Sequence, residues 1–296
     1  MKIAITGATG LVGQEIVKAF SSQHQISLLS RKRSKGFIQW DPVKGNLDRN
    51  QLDGHEVIIH LAGEPIANRR WSSGYKKRIK ASRINSTRFL VDNIRLLKQK
   101  PKLVICASAI GFYGNHLMID RKDESSSRGA GFLADVCEAW EEETKALEVG
   151  LGIRVVQLRF GIILAKNGGA LTKMLPIFNL GLGGRLGNGQ QPMSWVSIKE
   201  IPDIIDFIIK HDGIFGPVNV VAPDAVTNKE FTEVLCEVLH RPVSLPVPGF
   251  MIKLLFGEMG KDLLLNGANV FPNVLVKHDY VFRYPHLKEA LTEILR

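Results

Sequence analysis

Three glycines near the start of the chain have a spacing that could hold a phosphate group. Gly7, Gly10 and Gly13 form a GxxGxxG pattern between the strand-like Lys2–Thr6 and an amphipathic helix. The first glycine permits a tight turn, the second lets the backbone approach a phosphate, and the third lets helix and strand pack closely. The helix N-terminus then presents free N–H groups and a positive dipole end to the anion. The pattern therefore predicts a dinucleotide pyrophosphate site. Its predicted contacts are Gly7, Thr9, Gly10, Leu11, Val12 and Gly13.

The end of the second predicted strand, 25–30, indicates which dinucleotide binds. A site specific for NAD usually carries Asp or Glu there, to bond the ribose hydroxyls. Here Ser30 is followed by Arg31, Lys32 and Arg33, so a 2′-phosphate would meet positive charge. We therefore expect NADP(H) in preference to NAD(H), with Ser30 and Arg31 in contact with the phosphate.

Two further segments are predicted to contact the cofactor. Asp41 follows the third predicted strand and could accept a hydrogen bond from the adenine amino group; the alternative is an Asx-turn with Pro42. The small Ala62-Gly63 pair ends the buried strand 57–61 and would let the backbone lie against the phosphate and ribose. The predicted contacts of this second segment are Leu61, Ala62, Gly63 and Glu64.

Several motifs match one known group of proteins. Besides Gly7–Gly13 they are His60–Gly63, Asn85–Thr87, Ala107-Ser108 with Phe112–Gly114, and Met193–Val196. Together they resemble the short-chain dehydrogenase/reductase superfamily, in its extended, sugar-nucleotide-epimerase-like branch. A closer likeness, over nearly the whole chain, is to the atypical epimerase family proteins. It is carried by Leu61–Ala67 with Arg70-Trp71, by Trp140-Glu141, and by Gly257–Met259, Phe282–Pro285 and Ala290-Leu291.

The resemblance implies a particular set of catalytic residues, of which this chain has only one. In the superfamily a Ser or Thr works with a Tyr-x-x-x-Lys pair, whose lysine lowers the pKa of the tyrosine. Ser108 stands at the serine position, but the positions of the pair carry Phe132 and Val136, which cannot transfer a proton. The literal Tyr284-x-x-x-Lys288 lies in the C-terminal segment, and we attribute it to chance.

If the chain is catalytic, another residue must supply the acid. Tyr113 is the first candidate, because it follows Ser108 by five residues on the loop that leaves a strand's carboxyl end. Its alternative role is packing or stacking on substrate, and Glu64 and Glu141 are weaker candidates. Four further side chains could hold an anionic or planar substrate, with burial as the alternative for the two tryptophans. They are Arg70, Trp71, Arg159 and Trp195.

The alternation of strands and helices predicts an α/β fold. In the first half it favours a doubly wound parallel sheet with right-handed crossovers and helices on both faces, one of them over 131–148. The Gly- and Asn-rich segment 166–192 and the later proline breaks predict a small, mostly helical lobe over the carboxyl edge of the sheet. We place the dinucleotide-binding domain at 1–162, with 196–224 returning to it, and the smaller lobe at 163–195 and 225–296.

Composition limits the remaining possibilities. The chain has 296 residues, 45% hydrophobic and 23% charged, as in soluble globular proteins. The sequence suggests neither a signal peptide nor a membrane span, so we expect a cytoplasmic protein without a membrane partner. Three cysteines without CxxC spacing argue against a disulfide scaffold and a zinc site. We expect no bound metal, since the histidines form no HExxH, and no hydrolase, since GxSxG is absent.

The net charge of +10 is concentrated in one segment. Residues 69–102 contain twelve Lys and Arg and one acid, Asp92. We favour a solvated helix face, or pairing with the acidic segment 135–148, over nucleic-acid binding, because neither a pattern of interleaved aromatic and basic residues nor a known nucleic-acid-binding module accompanies the charge. Helices at 74–98 and 131–148 could also pair in a homodimer.

Two functions of different kinds stay open. One is NADP(H)-dependent redox or epimerase chemistry on a small molecule with a carbonyl or hydroxyl group. The other is a protein that binds NADP(H) without turnover and reports its redox state to a partner, as the missing Tyr/Lys pair suggests.

Overall fold

The main sheet of the protein is mostly parallel, and its first strand lies in the interior of the sheet. A computed structural model describes residues 1–31 and 36–296. Within these residues eight strands form one sheet in the order β11-β7-β6-β5-β1-β2-β3-β4. They are β1 (Lys2–Thr6), β2 (Gln25–Ser30), β3 (Phe37–Asp41), β4 (Asn46–Leu47), β5 (Val57–His60), β6 (Leu103–Ala109), β7 (Arg154–Phe160) and β11 (Gly216–Val220). All neighbours pair in parallel except β3 and β4.

The strand order reverses between β1 and β5, and this reversal fixes where a ligand binds. From β1 the chain moves outward through β2 and β3, then returns to the other side of β1 and moves outward through β5, β6 and β7. At such a reversal the crossover connections diverge and leave a crevice outside the carboxyl ends of the strands. The doubly wound fold expected from the sequence is confirmed.

Helices cover both faces of this sheet. In chain order the helices are α1 (Leu11–Phe20), α2 (Arg49–Leu52), α3 (Ser73–Arg95), α4 (Phe132–Glu142), α5 (Lys145–Leu151), α6 (Gly169–Asn179), α7 (Ile201–Lys210), α8 (Asn228–Val238), α9 (Gly249–Gly260), α10 (Asn273–Lys277) and α11 (Leu287–Leu295). Apolar side chains of α1 and α7 pack on one face of the sheet, and those of α3 and α5 on the other. Both faces of the central strands are therefore buried, as their nearly continuous Val and Ile content requires.

The prediction of a single helix over 131–148 is wrong. The segment forms two helices, α4 and α5, with the break at Glu143 and Thr144. The Thr144 hydroxyl donates to the carbonyl of Glu141 at 2.7 Å and accepts from the Gln157 amide at 2.9 Å. A buried bond to β7 thus favours the break, which local sequence pattern alone does not reveal.

The C-terminal half forms a second layer with its own core. Four short strands pair in two small sheets: β8 (Ile162–Ala165) with β10 (Trp195–Ser197), and β9 (Pro192–Met193) with β12 (Val226–Thr227). Helices α6, α8 and α11 share an apolar cluster that includes Trp195, Phe231 and Leu291. No helix in the described part of the chain is long and apolar enough to cross a membrane.

Candidate active site

The glycine turn after β1 is shaped to receive a phosphate. Gly7 has φ +69° and its carbonyl accepts the N–H of Gly10 at 2.9 Å. A Cβ on Gly13 would lie 2.4 Å from that same carbonyl oxygen, so only glycine allows α1 to start this close to the turn. Gly10 caps α1 without a side-chain hydrogen bond, so no side chain competes there for the first-turn N–H groups. The residues present therefore fit a dinucleotide pyrophosphate.

The carboxyl end of β5 lies directly beside this turn. A Cβ on Gly7 would lie 2.8 Å from the carbonyl carbon of Leu61. Across the crevice, a Cβ on Gly168 would lie 2.7 Å from Leu11 Cδ1, so the start of α6 contacts the start of α1. The glycine turn, Leu61 and the start of α6 thus meet at the point where the strand order reverses.

Arg83 of α3 is a candidate site residue that sequence reasoning missed. Its guanidinium donates to the carbonyl of Glu64 at 3.0 Å and lies 3.4 Å from the position of a Cβ on Gly63. It also lies over the Trp140 ring, at 5.1 Å from the centroid. Burial lowers the pKa of this guanidinium, although nearby acidic groups oppose the shift. In the sequence Arg83 is hidden among the other cations of 69–102.

The residues predicted to contact the 2′-phosphate and the adenine lie at the ends of β2 and β3. Ser30 is half-buried at the end of β2, and Arg31 is exposed directly after it. Lys32 and Arg33 lie outside the described residues. Asp41 Oδ1 accepts the N–H groups of Val43 at 3.1 Å and Lys44 at 3.2 Å, which is the Asx-turn alternative. Its contact with adenine stays a prediction.

The Ser108 hydroxyl belongs to a buried hydrogen-bonded group that also contains a carboxylate and a guanidinium. The Ser108 hydroxyl is at the carboxyl end of β6 and donates to Glu141 Oε1 at 2.6 Å. Arg159, which lies opposite Ser108 in the register of β6 and β7, donates to both oxygens of Glu141, at 2.9 and 2.8 Å. Such a bidentate pair fixes the orientation of the carboxylate. Burial would lower the pKa of Arg159, but its bonds to Glu141 outweigh this and raise it.

Tyr113 is buried, and its hydroxyl is not placed to donate a proton to a substrate. Its side chain is 0% exposed, and its hydroxyl donates to Asn219 Oδ1 at 2.8 Å and accepts from Arg159 at 2.9 Å. Burial raises its pKa to about 12, with the charge of Arg159 opposing the shift. We therefore assign Tyr113 a structural role: it holds Arg159 from the side opposite Glu141.

An apolar cluster occupies the place of the missing Tyr/Lys pair. The Phe132 ring packs edge-on against Trp71, with centroids 5.2 Å apart, and Lys76 Nζ lies 4.5 Å from the Phe132 centroid. Val136 is buried. The first turn of α4 therefore offers no proton donor at these two positions.

Burial also changes three of the four expected substrate contacts. Trp71 is 9% exposed and its indole donates to the carbonyl of Ile66, while Trp195 is 1% exposed in the C-terminal core. Arg159 is 4% exposed and already paired with Glu141. Packing thus encloses the two tryptophans, which is the burial alternative, and pairing with Glu141 occupies Arg159; their contact with a substrate stays a prediction. Arg70 is exposed, and its guanidinium lies beside Gly257 of α9.

His60 is a structural histidine. Its ring nitrogens lie 2.7 Å from the Thr6 hydroxyl and 3.1 Å from the Thr87 hydroxyl, and Trp140 donates to that same Thr87 oxygen at 2.9 Å. Burial lowers its pKa to about 4. These bonds tie β1, β5, α3 and α4 together behind the site.

The basic helix α3 packs against the helices of the acidic segment 135–148. Arg88 donates to both oxygens of Glu143, at 2.9 and 2.6 Å, while Lys76 pairs with Glu258 of α9 at 2.6 Å. Arg83 points into the interior. Pairing and packing therefore account for part of this charge.

The parallel sheet, the glycine turn at the reversal of strand order and the serine at the end of β6 together define a dinucleotide-binding protein of the short-chain dehydrogenase/reductase type. The chain belongs to the NAD-dependent epimerase/dehydratase family, whose model matches residues 3–220. A second model, a domain of unknown function named DUF1731, matches residues 247–294. The resemblance seen in the sequence is confirmed.

Relatives are similar over the full length of the chain. Epimerase family protein YfhF of Bacillus subtilis is 35% identical over 302 residues, covering 100% of this chain and 98% of that protein. The crystal structure of human epimerase family protein SDR39U1 (isoform 2) with NADPH has a TM-score of 0.91 and 30% identity, covering 99% of each chain. A nucleoside-diphosphate sugar epimerase from Corynebacterium glutamicum has a TM-score of 0.82 and 31% identity, covering 100% of this chain and 58% of that one.

Proposed function

We propose that this chain is an NADP(H)-dependent oxidoreductase that acts on a small carbonyl or alcohol, with a Ser108–Glu141 pair in place of the usual tyrosine and lysine. The observation that carries the proposal is the 2.6 Å hydrogen bond from Ser108 to Glu141 at the carboxyl end of β6. The cofactor choice is supported by the exposed Arg31 after β2 and by the human relative solved with NADPH.

In this proposal the protein binds the cofactor with its pyrophosphate at the N-terminus of α1. When bound, the cofactor supplies or accepts hydride at its nicotinamide. Ser108 touches the substrate oxygen. During alcohol oxidation its hydroxyl takes the substrate proton and passes its own proton to Glu141; during carbonyl reduction the two transfers reverse. Arg159 orients Glu141 through two hydrogen bonds and does not touch the substrate.

A second candidate function is supported by the first turn of α4. Phe132 and Val136 cannot donate a proton, so the chain could bind NADP(H) and report its redox state to a partner without turnover. The two functions differ in a measurable way. The oxidoreductase consumes NADPH when a suitable carbonyl compound is added, whereas the sensor only binds it.

The test combines two variants, Ser108→Ala and Glu141→Gln. Calorimetry measures NADPH affinity, and absorbance of NADPH measures turnover on a panel of aldehydes and ketones. We expect unchanged affinity and a loss of turnover on the order of 100-fold or more, because proton transfer is removed.

Two exposed residues give matched controls. Ser22→Ala removes a serine after α1, and Glu142→Gln removes a carboxylate that is 60% exposed and paired only with Lys145 among the ion pairs of the described residues. Both should keep full turnover. NADPH binding without consumption on any carbonyl compound would favour the sensor and end the enzyme proposal.

A further inference from the structure

Arg83 is a partly buried cation that has no carboxylate partner. None of the ion pairs formed by the described residues includes its guanidinium. Glu64 and Cys137 attract its charge from a distance, but burial outweighs this attraction and lowers the pKa of the guanidinium. A charge withdrawn from water normally has a partner of opposite charge. The position therefore suits an anion that the protein itself does not supply.

The protein uses only one of the three guanidinium nitrogens. Nη1 donates to the carbonyls of Glu64 and Ile79, at 3.0 and 3.2 Å, and lies 3.4 Å from the Ser82 hydroxyl. Nη2 and Nε have no hydrogen-bond partner in the described ranges 1–31 and 36–296, yet neither is among the enclosed polar atoms. This edge of the guanidinium is therefore open to solvent, while the Nη1 bonds and the Trp140 ring hold its orientation.

The open edge lies beside the loop that leaves β5, at the carboxyl edge of the sheet. Nη2 is 3.5 Å from the position of a Cβ on Gly63, which is itself exposed. In the register of β5 and β6, His60 lies opposite Cys106. Ala62 and Ser108 each follow this pair by two residues, and neighbouring strands are about 4.8 Å apart. The loop that carries Gly63 and the Ser108 hydroxyl therefore border the same part of the crevice.

One turn of α4 also connects Arg83 with the Ser108–Glu141 pair. The Arg83 guanidinium lies over Trp140, and the next residue, Glu141, accepts the Ser108 hydroxyl. Arg159 binds both oxygens of Glu141, so these two charges neutralise each other. The charge of Arg83 is left over. An anionic group on a molecule that contacts Ser108 is therefore attracted to Arg83.

The phosphate groups expected of the cofactor have other places. In the proposed function the pyrophosphate lies at the N-terminus of α1 and the 2′-phosphate lies beside Arg31, at the end of β2. Strands β2 and β5 lie on opposite sides of β1, so Arg83 is remote from Arg31. The anion that suits Arg83 is therefore a group of the substrate. The forked edge of a guanidinium matches the two oxygens of a carboxylate.

We propose that the open edge of Arg83 binds a carboxylate of the substrate, so that the enzyme reduces small oxo acids, in which one molecule carries both an aldehyde or ketone and a carboxylate. This inference rests on the proposed oxidoreductase function. Hydride from NADPH adds to the carbonyl carbon and a proton reaches the carbonyl oxygen through Ser108. Oxo acid, NADPH and one proton thus give hydroxy acid and NADP⁺.

The first experiment measures NADPH-dependent reduction of glyoxylate, succinic semialdehyde and glutaric semialdehyde, each compared with its neutral amide. For at least one pair we expect kcat/KM of the acid to exceed that of the amide by about tenfold or more, because a guanidinium–carboxylate bond is charge-assisted. Amides reduced as well as the acids in every pair would overturn the proposal. This comparison uses the wild-type protein, so it holds even if a variant of Arg83 does not fold.

Variants of Arg83 then assign the preference to this side chain. Arg83→Met keeps an apolar stem over Trp140 but removes the charge, and should lower the ratio of acid to amide to about one. Arg83→Lys keeps the charge without the fork and should retain part of the preference. The matched control Arg88→Met changes an arginine of the same helix that is 58% exposed and paired with Glu143, and should keep the wild-type ratio. A preference for acids that survives in Arg83→Met would overturn the assignment.

A second experiment separates this inference from the proposed function. Calorimetry of NADPH-saturated protein with the corresponding hydroxy acids and hydroxy amides measures binding without turnover, because the reduced cofactor cannot oxidise an alcohol. Tighter binding of the acid, lost in Arg83→Met, supports the carboxylate site even if no oxo acid is reduced, in which case only the oxidoreductase proposal fails. Equal affinities overturn the inference. A fall in NADPH affinity in Arg83→Met, without any preference of the wild type for acids, also overturns it, because Arg83 would then serve a cofactor phosphate.

Discussion

Replacing Arg159 by methionine tests whether the Ser108–Glu141 pair depends on a buried ion pair. The Arg159 side chain is 4% exposed and that of Glu141 is 13% exposed. Methionine fills much of the same volume but removes both bonds to Glu141 and the bond to Tyr113. Breaking a buried pair from one side costs about 3–5 kcal/mol, and because Glu141 retains some water contact we expect about 3 kcal/mol. That is a large share of a typical stability of about 5–15 kcal/mol.

Urea unfolding followed by tryptophan fluorescence, without cofactor, measures this loss. The double variant Arg159→Met/Glu141→Gln removes both charges, so it should be more stable than Arg159→Met by at least about 1.5 kcal/mol. Arg159→Met should also lose turnover while a folded fraction still binds NADPH. A loss below about 1 kcal/mol in the single variant, or a double variant no more stable than the single one, would refute the ion-pair argument.

Three further predictions concern the cofactor site and its support. Gly13→Ala places a Cβ 2.4 Å from the Gly7 carbonyl oxygen, so calorimetric NADPH affinity should fall at least about tenfold, whereas Gly150→Ala, which meets no atom within 4 Å, should not change it. Arg31→Asp should lower the ratio of NADPH to NADH affinity by about tenfold or more, because a carboxylate would face the 2′-phosphate; an unchanged ratio would remove Arg31 from the site. His60 has a pKa of about 4 in the folded protein against 6.5 ordinarily. Its protonation therefore favours unfolding, and the stability it contributes above pH 6.5 is lost as the pH falls to 4, by about 3 kcal/mol. His60→Gln should show a correspondingly smaller fall over this range in urea unfolding, and parallel curves would contradict the assignment.

The fold around the proposed cofactor site could be predicted because its determinants are local. Gly7 to Gly13 spans one turn and the start of one helix, and the alternation of strands and helices then fixes a parallel sheet with a crevice beside that turn. The same holds for Leu61 and Ala62, which directly follow the buried strand β5. The shape of this site depends mainly on backbone conformation and on the order of the strands and helices, and only little on individual side chains.

The arrangement around Ser108 could be predicted only in part, because the residues that contact one another there are distant in the sequence. The Tyr113 hydroxyl donates to Asn219, which lies 106 residues later in the chain, and this hydrogen bond holds the hydroxyl in the interior. Glu141 is presented to Ser108 by a helix 33 residues later, and its orientation depends on Arg159 of the next strand. The sequence contains two signals for this arrangement. Glu141 follows the buried Cys137 by one turn of α4, and Arg159 lies near the end of the buried strand β7. Neither signal identifies its partner without the register of β6 and β7.

The residue at position 132 decides both the chemistry and the packing at the start of α4. A phenylalanine there cannot donate a proton, and its ring instead packs edge-on against Trp71, with centroids 5.2 Å apart. Glu141 lies nine residues further along α4, roughly 13 Å at 1.5 Å per residue. In the proposed mechanism the proton therefore passes between the substrate oxygen and Glu141 through the Ser108 hydroxyl, which already donates to that carboxylate at 2.6 Å, and no group at position 132 takes part.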